Sequence, residues 1–481
     1  MTVVDELLRG PKTGLHIGGE WEEGISELDV IDPATEQVLA AVSTAGHDHA
    51  RSAVDAAAEA APGWAATAPR VRSEILRRSY ETMLAREEQL AELIVLENGK
   101  TYADALGEVR YAAEFFRWFS EEAVRIIGEF RTAPAGDKRI IVAPEPVGIS
   151  LMVTPWNFPS AMATRKLGPA LAAGCTTILK PASDTPLSAL AVADILADAG
   201  LPPGVVNVVT ARGSSGVVDT ILEDPRVRKL SFTGSTEVGQ LLMAKAGSRI
   251  MRTSMELGGN APFVVFDDAD LDAAIEGAML AKMRNAGETC VAANRFYVQA
   301  GVSEVFTSRL TEAMSVLRMG PGIDRSNQVG PMINAQAIEK IDWLVSGAVD
   351  GDATVRTGGR APDGPGYFYE PTVLSEVSPD STILDHEIFG PVAPVVSFDT
   401  EEEVVGAAND TVHGLISYVY TSDINRGFRM AEAIESGMVA LNRGLISDPA
   451  APFGGVKQSG IGREGSHHGM EEYLELKYVA W

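Results

Sequence analysis

Ile149-Ser150-Leu151-Met152-Val153-Thr154-Pro155-Trp156-Asn157-Phe158-Pro159 opens the stretch whose reading decides the fold. Residues 149–154 form a short apolar run of strand length, closed by a proline-bounded loop. A helical pattern follows over 160–174, then a strand pattern at 176–179 and a helix at 187–199. Two more strand patterns stand at 205–209 and 229–232. Strands that alternate with helices in this way predict a parallel, doubly wound α/β layer. Such layers bind ligands beyond the carboxyl ends of their strands. The loop 155–159 leaves one such end with a proline on either side of Asn157, so its amide is presented on a stiff backbone. A tight turn that happens to contain an asparagine accounts for the same residues.

Outward from this core, residues 48–98 are rich in Ala, Glu and Leu at helical spacing, and Asn98-Gly99 reads as a helix stop. Beyond it, the patterns at 262–266, 271–282 and 296–298 predict a second α/β domain, with no internal repeat and no low-complexity linker. The last segment, Y-L-E-L-K-Y-V-A-W over 473–481, alternates and ends apolar. Left unpaired, it would be an aggregation hazard. It pairs either within its own sheet or with another subunit, and the second reading is the favoured one.

A chain of 481 residues exceeds the size at which one core stops growing, so two or more domains are expected. Forty Lys and Arg against 66 Asp and Glu leave a net charge of −26. That field repels phosphate backbones and anionic membranes, which argues against nucleic-acid and lipid-surface roles. Any anion site must therefore be built locally from Arg, Lys and helix N-termini. The first ten residues lack a basic segment followed by an apolar one, and no apolar run reaches membrane-spanning length. With only Cys175 and Cys290, the chain suits a reducing, cytoplasmic setting. The seven His are scattered, and no metal site is expected.

Three further segments place unusual polar residues among glycines. Met255-Glu256-Leu257-Gly258-Gly259-Asn260 sets a carboxylate beside a glycine pair, where it can be approached closely as a general base or can be an ordinary turn acid. Asn285-Ala286-Gly287-Glu288-Thr289-Cys290 brings a thiol out of a glycine-containing loop. It is either a nucleophile whose thiolate is favoured by local dipoles or a small buried apolar group. Cys175, in A-A-G-C-T-T-I-L, is read as buried and structural. Phe232-Thr233-Gly234-Ser235-Thr236-Glu237-Val238-Gly239 joins a strand to a helix, which suits a pyrophosphate at the helix N-terminus. It is neither a P-loop, since Gln240 stands where Lys is needed, nor G-x-G-x-x-G.

In order and spacing these segments resemble the aldehyde dehydrogenase superfamily from about Trp21 onward. The likeness includes K-P-A at 180–182, E-I-F-G-P at 387–391 and P-F-G-G-V-K-Q-S-G at 452–460. It implies a Rossmann-type cofactor domain over 1–123 and 147–258, a catalytic domain over 259–458, and a β-ribbon for oligomerisation from 124–146 and 459–481. It further implies that Cys290 attacks the aldehyde, that Asn157 and the Cys290 backbone N–H hold the oxyanion, and that Glu256 activates the hydrolytic water. Thr154, Pro155, Trp156, Lys180, Ser183, Thr233, Gly234, Ser235, Leu257, Glu387 and Phe389 would surround the dinucleotide.

Family members that prefer NAD often carry Glu three residues after the K-P-A lysine, where it binds the adenosine ribose. Here Ser183 stands there, and a hydroxyl beside Lys180 can receive a 2′-phosphate, so NADP is expected over NAD. Within the superfamily, succinate-semialdehyde dehydrogenases are the nearest likeness. They hold the substrate's far carboxylate with residues that match Arg165, Arg284 and Ser447, and Phe453 would line the same pocket. Arg165 lies eight residues after Asn157, about two helical turns. Arg443 departs from the subfamily pattern and would either assist the carboxylate or reshape the entrance. Glutarate semialdehyde remains a competitor, since one methylene discriminates by only about 1–3 kcal/mol. A CoA-acylating enzyme or a non-catalytic scaffold fits less well, because Glu256, Cys290 and Asn157 are all retained. Ala292 stands where some relatives place a second thiol, so no disulfide switch is expected. The expected assembly is a homodimer or homotetramer.

Overall fold

The computed structural model describes residues 10–213 and 215–481. Ile149–Val153 forms a fully buried strand, as its unbroken apolar run requires. It lies in the middle of an eight-stranded sheet, parallel to Val227–Thr233 on one side and Thr177–Lys180 on the other. Arg252–Glu256 extends the parallel set beyond the first, and Val206–Val208 beyond the second. The chain therefore winds outward both ways from Ile149–Val153. The loop 154–158 leaves the sheet at the point where the strand order reverses, which is where open α/β sheets form their crevice.

A second sheet of seven strands repeats the logic around Ala261–Val265 and Ala293–Gln299. Its core is a separate apolar cluster that includes Phe263, Phe296, Tyr418 and Tyr420. The expected second α/β layer is thus present. The helical region 48–98 is three helices, His47–Ala66, Pro69–Ala85 and Glu87–Asn98. The last ends at Gly99 with φ 91°, the left-handed cap that its glycine permits.

Leu474–Ala480 pairs antiparallel with Arg139–Pro146, which in turn pairs with Glu129–Thr132. The terminal strand is therefore paired on one side within its own chain, which is the less favoured of the two readings the sequence left open. Its other edge is open, and this ribbon exposes Phe130, Leu476, Tyr478 and Trp481. Just before it, Gly460–Ile461 returns to the large sheet and lies antiparallel to Arg252–Glu256, with Gly460 opposite Glu256. No helix among the described residues is long and apolar enough to cross a membrane.

Candidate active site

A cavity of about 470 Å³ opens at the strand-order reversal. The loop after Ile149–Val153 supplies Pro155, Trp156 and Asn157 to its wall, and the loop after Val227–Thr233 supplies Gly234 and Ser235 beside Thr233. The second α/β layer contributes Cys290, Glu387 and Phe389, and Leu257 lies where the layers meet. Arg165, Arg284, Ser447 and Phe453 line the same space. Fourteen of the residues singled out by sequence thus share one cavity, although they are spread over 299 positions from Pro155 to Phe453.

Cys290 is half-buried and follows a backbone under strain. Asn285 and Ala286 hold φ near 51° and 50°, left-handed values that non-glycine residues rarely adopt, and Gly287 continues the turn. Gly259 allows the close packing on the other side, since a Cβ there would come within 2.5 Å of the Cys290 carbonyl oxygen. Gly259 of E-L-G-G-N therefore lets one layer pass against the Cys290 backbone. Burial pushes the Cys290 thiol up to about 12, with Arg165 pulling the other way. Of the two readings the sequence left open for this thiol, burial favours the protonated one. Cys175 is fully buried, donates to the Tyr473 carbonyl oxygen, and is the structural thiol anticipated.

Asn157 is nearly inaccessible. Its side-chain Nδ2 donates to the Glu288 carbonyl oxygen at 3.2 Å, and its own carbonyl accepts from Lys100 and Asn285. One amide hydrogen remains to face an oxyanion.

Glu256 ends its strand outside the cavity wall, buried under the returning chain. A Cβ at Gly454 would lie 2.8 Å from its Oε1, and neither carboxylate oxygen has a hydrogen-bond partner. Burial, reinforced by Glu464, raises its carboxyl well above the ordinary range. Glu464 behaves oppositely. Although burial opposes ionisation, Lys166 and Arg165 outweigh it and hold Glu464 below the usual range. Lys166 Nζ lies 2.5 Å from one Glu464 oxygen and Arg165 Nε 2.5 Å from the other. Sequence reasoning missed Lys166 and Glu464. Their separation of 298 positions carries no local pattern, and only the return of the Gly460–Ile461 strand brings them together.

The Arg165–Glu464 contact changes the reading of Arg165. Its guanidinium stacks 3.7 Å over the Phe453 ring, and Nη2 has no protein partner, but Nε is already opposite a carboxylate. Arg284 makes no ion pair among the described residues and lies 4.9 Å from the Phe158 ring centre. Tyr111, also in the wall, was missed because it comes from the distant helix Tyr102–Glu122.

On the cofactor side, Ser235 caps the helix Thr236–Gly247, leaving that helix's N-terminal N–H groups at the crevice. Glu387 accepts from the Gly259 N–H at 3.0 Å, and burial pushes its carboxyl up to about 7. Trp156 meets Phe389 edge-on at 5.4 Å. Thr154, Lys180 and Ser183 lie outside the cavity wall, at the end of the neighbouring strands, where the Thr154 N–H donates to the Lys180 carbonyl. Lys180 is buried without an ion-pair partner among the described residues, and burial lowers its ammonium to about 8, partly opposed by Asp184. A helix N-terminus and a buried ammonium without an ion-pair partner among the described residues suit the phosphates of a dinucleotide, and the Glu387 carboxylate suits a ribose hydroxyl.

The chain resembles known proteins over almost its whole length. It is 55% identical to a succinate-semialdehyde dehydrogenase of Paenarthrobacter nicotinovorans, covering 92% of this chain and 98% of that one. It is 49% identical to a glutarate-semialdehyde dehydrogenase of Pseudomonas aeruginosa, covering 96% of each. A crystal structure of an Escherichia coli NADP-dependent enzyme superposes with a TM-score of 0.97 at 48% identity, covering 99% of each chain. The aldehyde dehydrogenase family profile matches residues 21–479, and the chain belongs to that family.

Proposed function

We propose that this protein oxidises succinate semialdehyde to succinate with NADP, through a thioester on Cys290. The observation that carries the reading is the common cavity lined by Cys290, Asn157 and two guanidinium groups, Arg165 and Arg284. The Cys290 thiol gives its proton to solvent water, the sulfur bonds to the aldehyde carbon, and the carbonyl oxygen becomes an oxyanion. The Asn157 Nδ2–H and the Cys290 backbone N–H stabilise that charge. Losing one such donor typically costs about 10²–10³ in rate. A nicotinamide bound in the crevice would accept the hydride from the former aldehyde carbon as the oxyanion re-forms its carbonyl, which leaves a thioester on Cys290. Glu256, swung from its buried position and deprotonated, takes a proton from the attacking water. The water oxygen bonds to the acyl carbon, the C–S bond breaks, and the acid leaves.

Arg284, assisted by Ser447 and the free Nη2 of Arg165, receives the distal carboxylate. NADP is held by Lys180 and Ser183 at the adenosine end, by the helix that Ser235 caps, and by Glu387 at the nicotinamide end. In this reading residues 1–123 and 147–258 bind the cofactor, and 259–458 carry the nucleophile. Residues 124–146 and 459–481 join subunits of a homodimer or homotetramer, a role supported by the exposed apolar side chains of the ribbon. A reducing cytoplasm suits the two free thiols.

Glutarate semialdehyde is the second reading, favoured by the likeness to the Pseudomonas aeruginosa relative. Steady-state kinetics over succinate semialdehyde, glutarate semialdehyde and butanal, with NADP and NAD, test both. The proposal expects the highest kcat/KM for succinate semialdehyde with NADP. Equal kcat/KM for butanal would refute carboxylate recognition.

A further inference from the structure

Behind the cavity wall lies a polar layer that none of these chemical steps uses. Helix Glu87–Asn98 ends at Gly99, and helix Tyr102–Glu122 starts under the Thr101 side-chain cap. From this corner Lys100, fully buried, donates from Nζ to the Asn157 carbonyl at 2.7 Å and to Glu108 Oε2 at 2.6 Å. The other Glu108 oxygen accepts from the backbone N–H groups of Ser160 and Ala161, at 2.9 and 3.2 Å. Asn98 Nδ2 donates to the Trp156 carbonyl at 3.1 Å. Asp104 Oδ2 accepts from the Asn285 N–H at 3.1 Å, and Asn285 Nδ2 donates to the carbonyls of Asn157 and Glu288.

Both loops that frame the gap between the Asn157 amide and the Cys290 N–H are thus tied to one corner. Desolvating an ammonium and a carboxylate is costly, and apolar residues of equal volume often stabilise a fold as well. Apolar residues would lack what this pair supplies, a directional link from the Asn157 carbonyl to the amides just beyond the loop. Pro155 and Pro159 stiffen the two ends of the loop, fixing their own φ and restricting Phe158, but they do not set the torsions of Trp156 and Asn157 themselves. Lys100 also sits 4.0 Å over the Phe158 ring that Arg284 approaches from its own loop.

We infer that Lys100 and Glu108 are positioning residues, a buried ionic brace that holds the Asn157 amide at the spacing an oxyanion needs. The inference rests on the reading of Asn157 as an oxyanion donor.

A double-variant cycle on the full-length enzyme tests it, with Lys100→Met, Asn157→Ala and the combination assayed with succinate semialdehyde and NADP. The brace predicts that Lys100→Met lowers kcat about 10- to 100-fold, less than deleting a donor outright, while both KM values change little. In the Asn157→Ala background the same substitution should cost less than about threefold, because the group it positions is gone. Glu108→Gln, which keeps shape and removes charge, should show the same loss of effect and serves if Lys100→Met does not fold. Losses that multiply across the cycle, or a lowered unfolding temperature with kcat intact, overturn the brace alone. An unchanged kcat in Asn157→Ala removes the oxyanion assignment and the brace together.

Discussion

Replacing Arg284 by Met removes the cavity guanidinium that, among the described residues, no carboxylate engages. The substitution keeps a long apolar side chain that can still cover Phe158, which the guanidinium approaches to 4.9 Å. A hydrogen bond to a charged group contributes about 1.5–3 kcal/mol. At 1.36 kcal/mol per decade, kcat/KM for succinate semialdehyde should fall roughly 10- to 150-fold. Butanal has the same chain length at the reacting end and no carboxylate, so its kcat/KM should change less than about threefold on the same arithmetic. The assay is NADPH absorbance under subsaturating aldehyde, with both substrates measured on one preparation. Equal losses on the two aldehydes would mean that Arg284 shapes the cavity rather than recognising charge. Arg165→Met should behave differently. It leaves Glu464 opposite Lys166 alone, so it should lower thermal stability and damage both substrates.

The Cys290 thiol, pushed up to about 12 by burial, is neutral at ordinary pH in the cofactor-free enzyme. Its thiolate fraction rises tenfold per pH unit below that value, so iodoacetamide should inactivate faster with each unit up to at least about pH 10. A plateau beginning near neutrality would contradict this. Glu256→Gln should leave the first turnover of NADPH nearly intact and slow steady-state hydrolysis about 10²–10⁴-fold, seen as a stoichiometric burst in stopped-flow absorbance. Loss of the burst itself would reassign Glu256 to thiol activation. Ser183→Glu should raise KM for NADP about 10- to 100-fold through like-charge repulsion, with NAD little affected. Unchanged discrimination would remove Ser183 from the ribose site. Leu476→Lys with Trp481→Ser, at positions 72% and 77% exposed, should shift the sedimentation profile toward smaller species. An unaltered profile would exclude the ribbon as the subunit contact.

Much of the architecture was legible locally. The strand Ile149–Val153 needed only its continuous apolar run, and the helix stop at Gly99 only a glycine after Asn98. Motif order along the chain carried the family and singled out Cys290, Asn157 and Glu256 as candidates, because each keeps its neighbours in sequence. Local patterns carry no information on which distant segments meet. The state of Cys290, the parking of Glu256 and the engagement of Arg165 by Glu464 all depend on burial and on pairing across the fold. The Gly460–Ile461 strand decides the last two, by laying the final stretch of the chain across the end of Arg252–Glu256. Composition and spacing thus determined which groups are present and in which layer, since periodicity is a property of neighbouring residues. Tertiary structure alone decided which of them are ionised and which are already partnered, because desolvation and Coulomb pairing act through space and are blind to chain position.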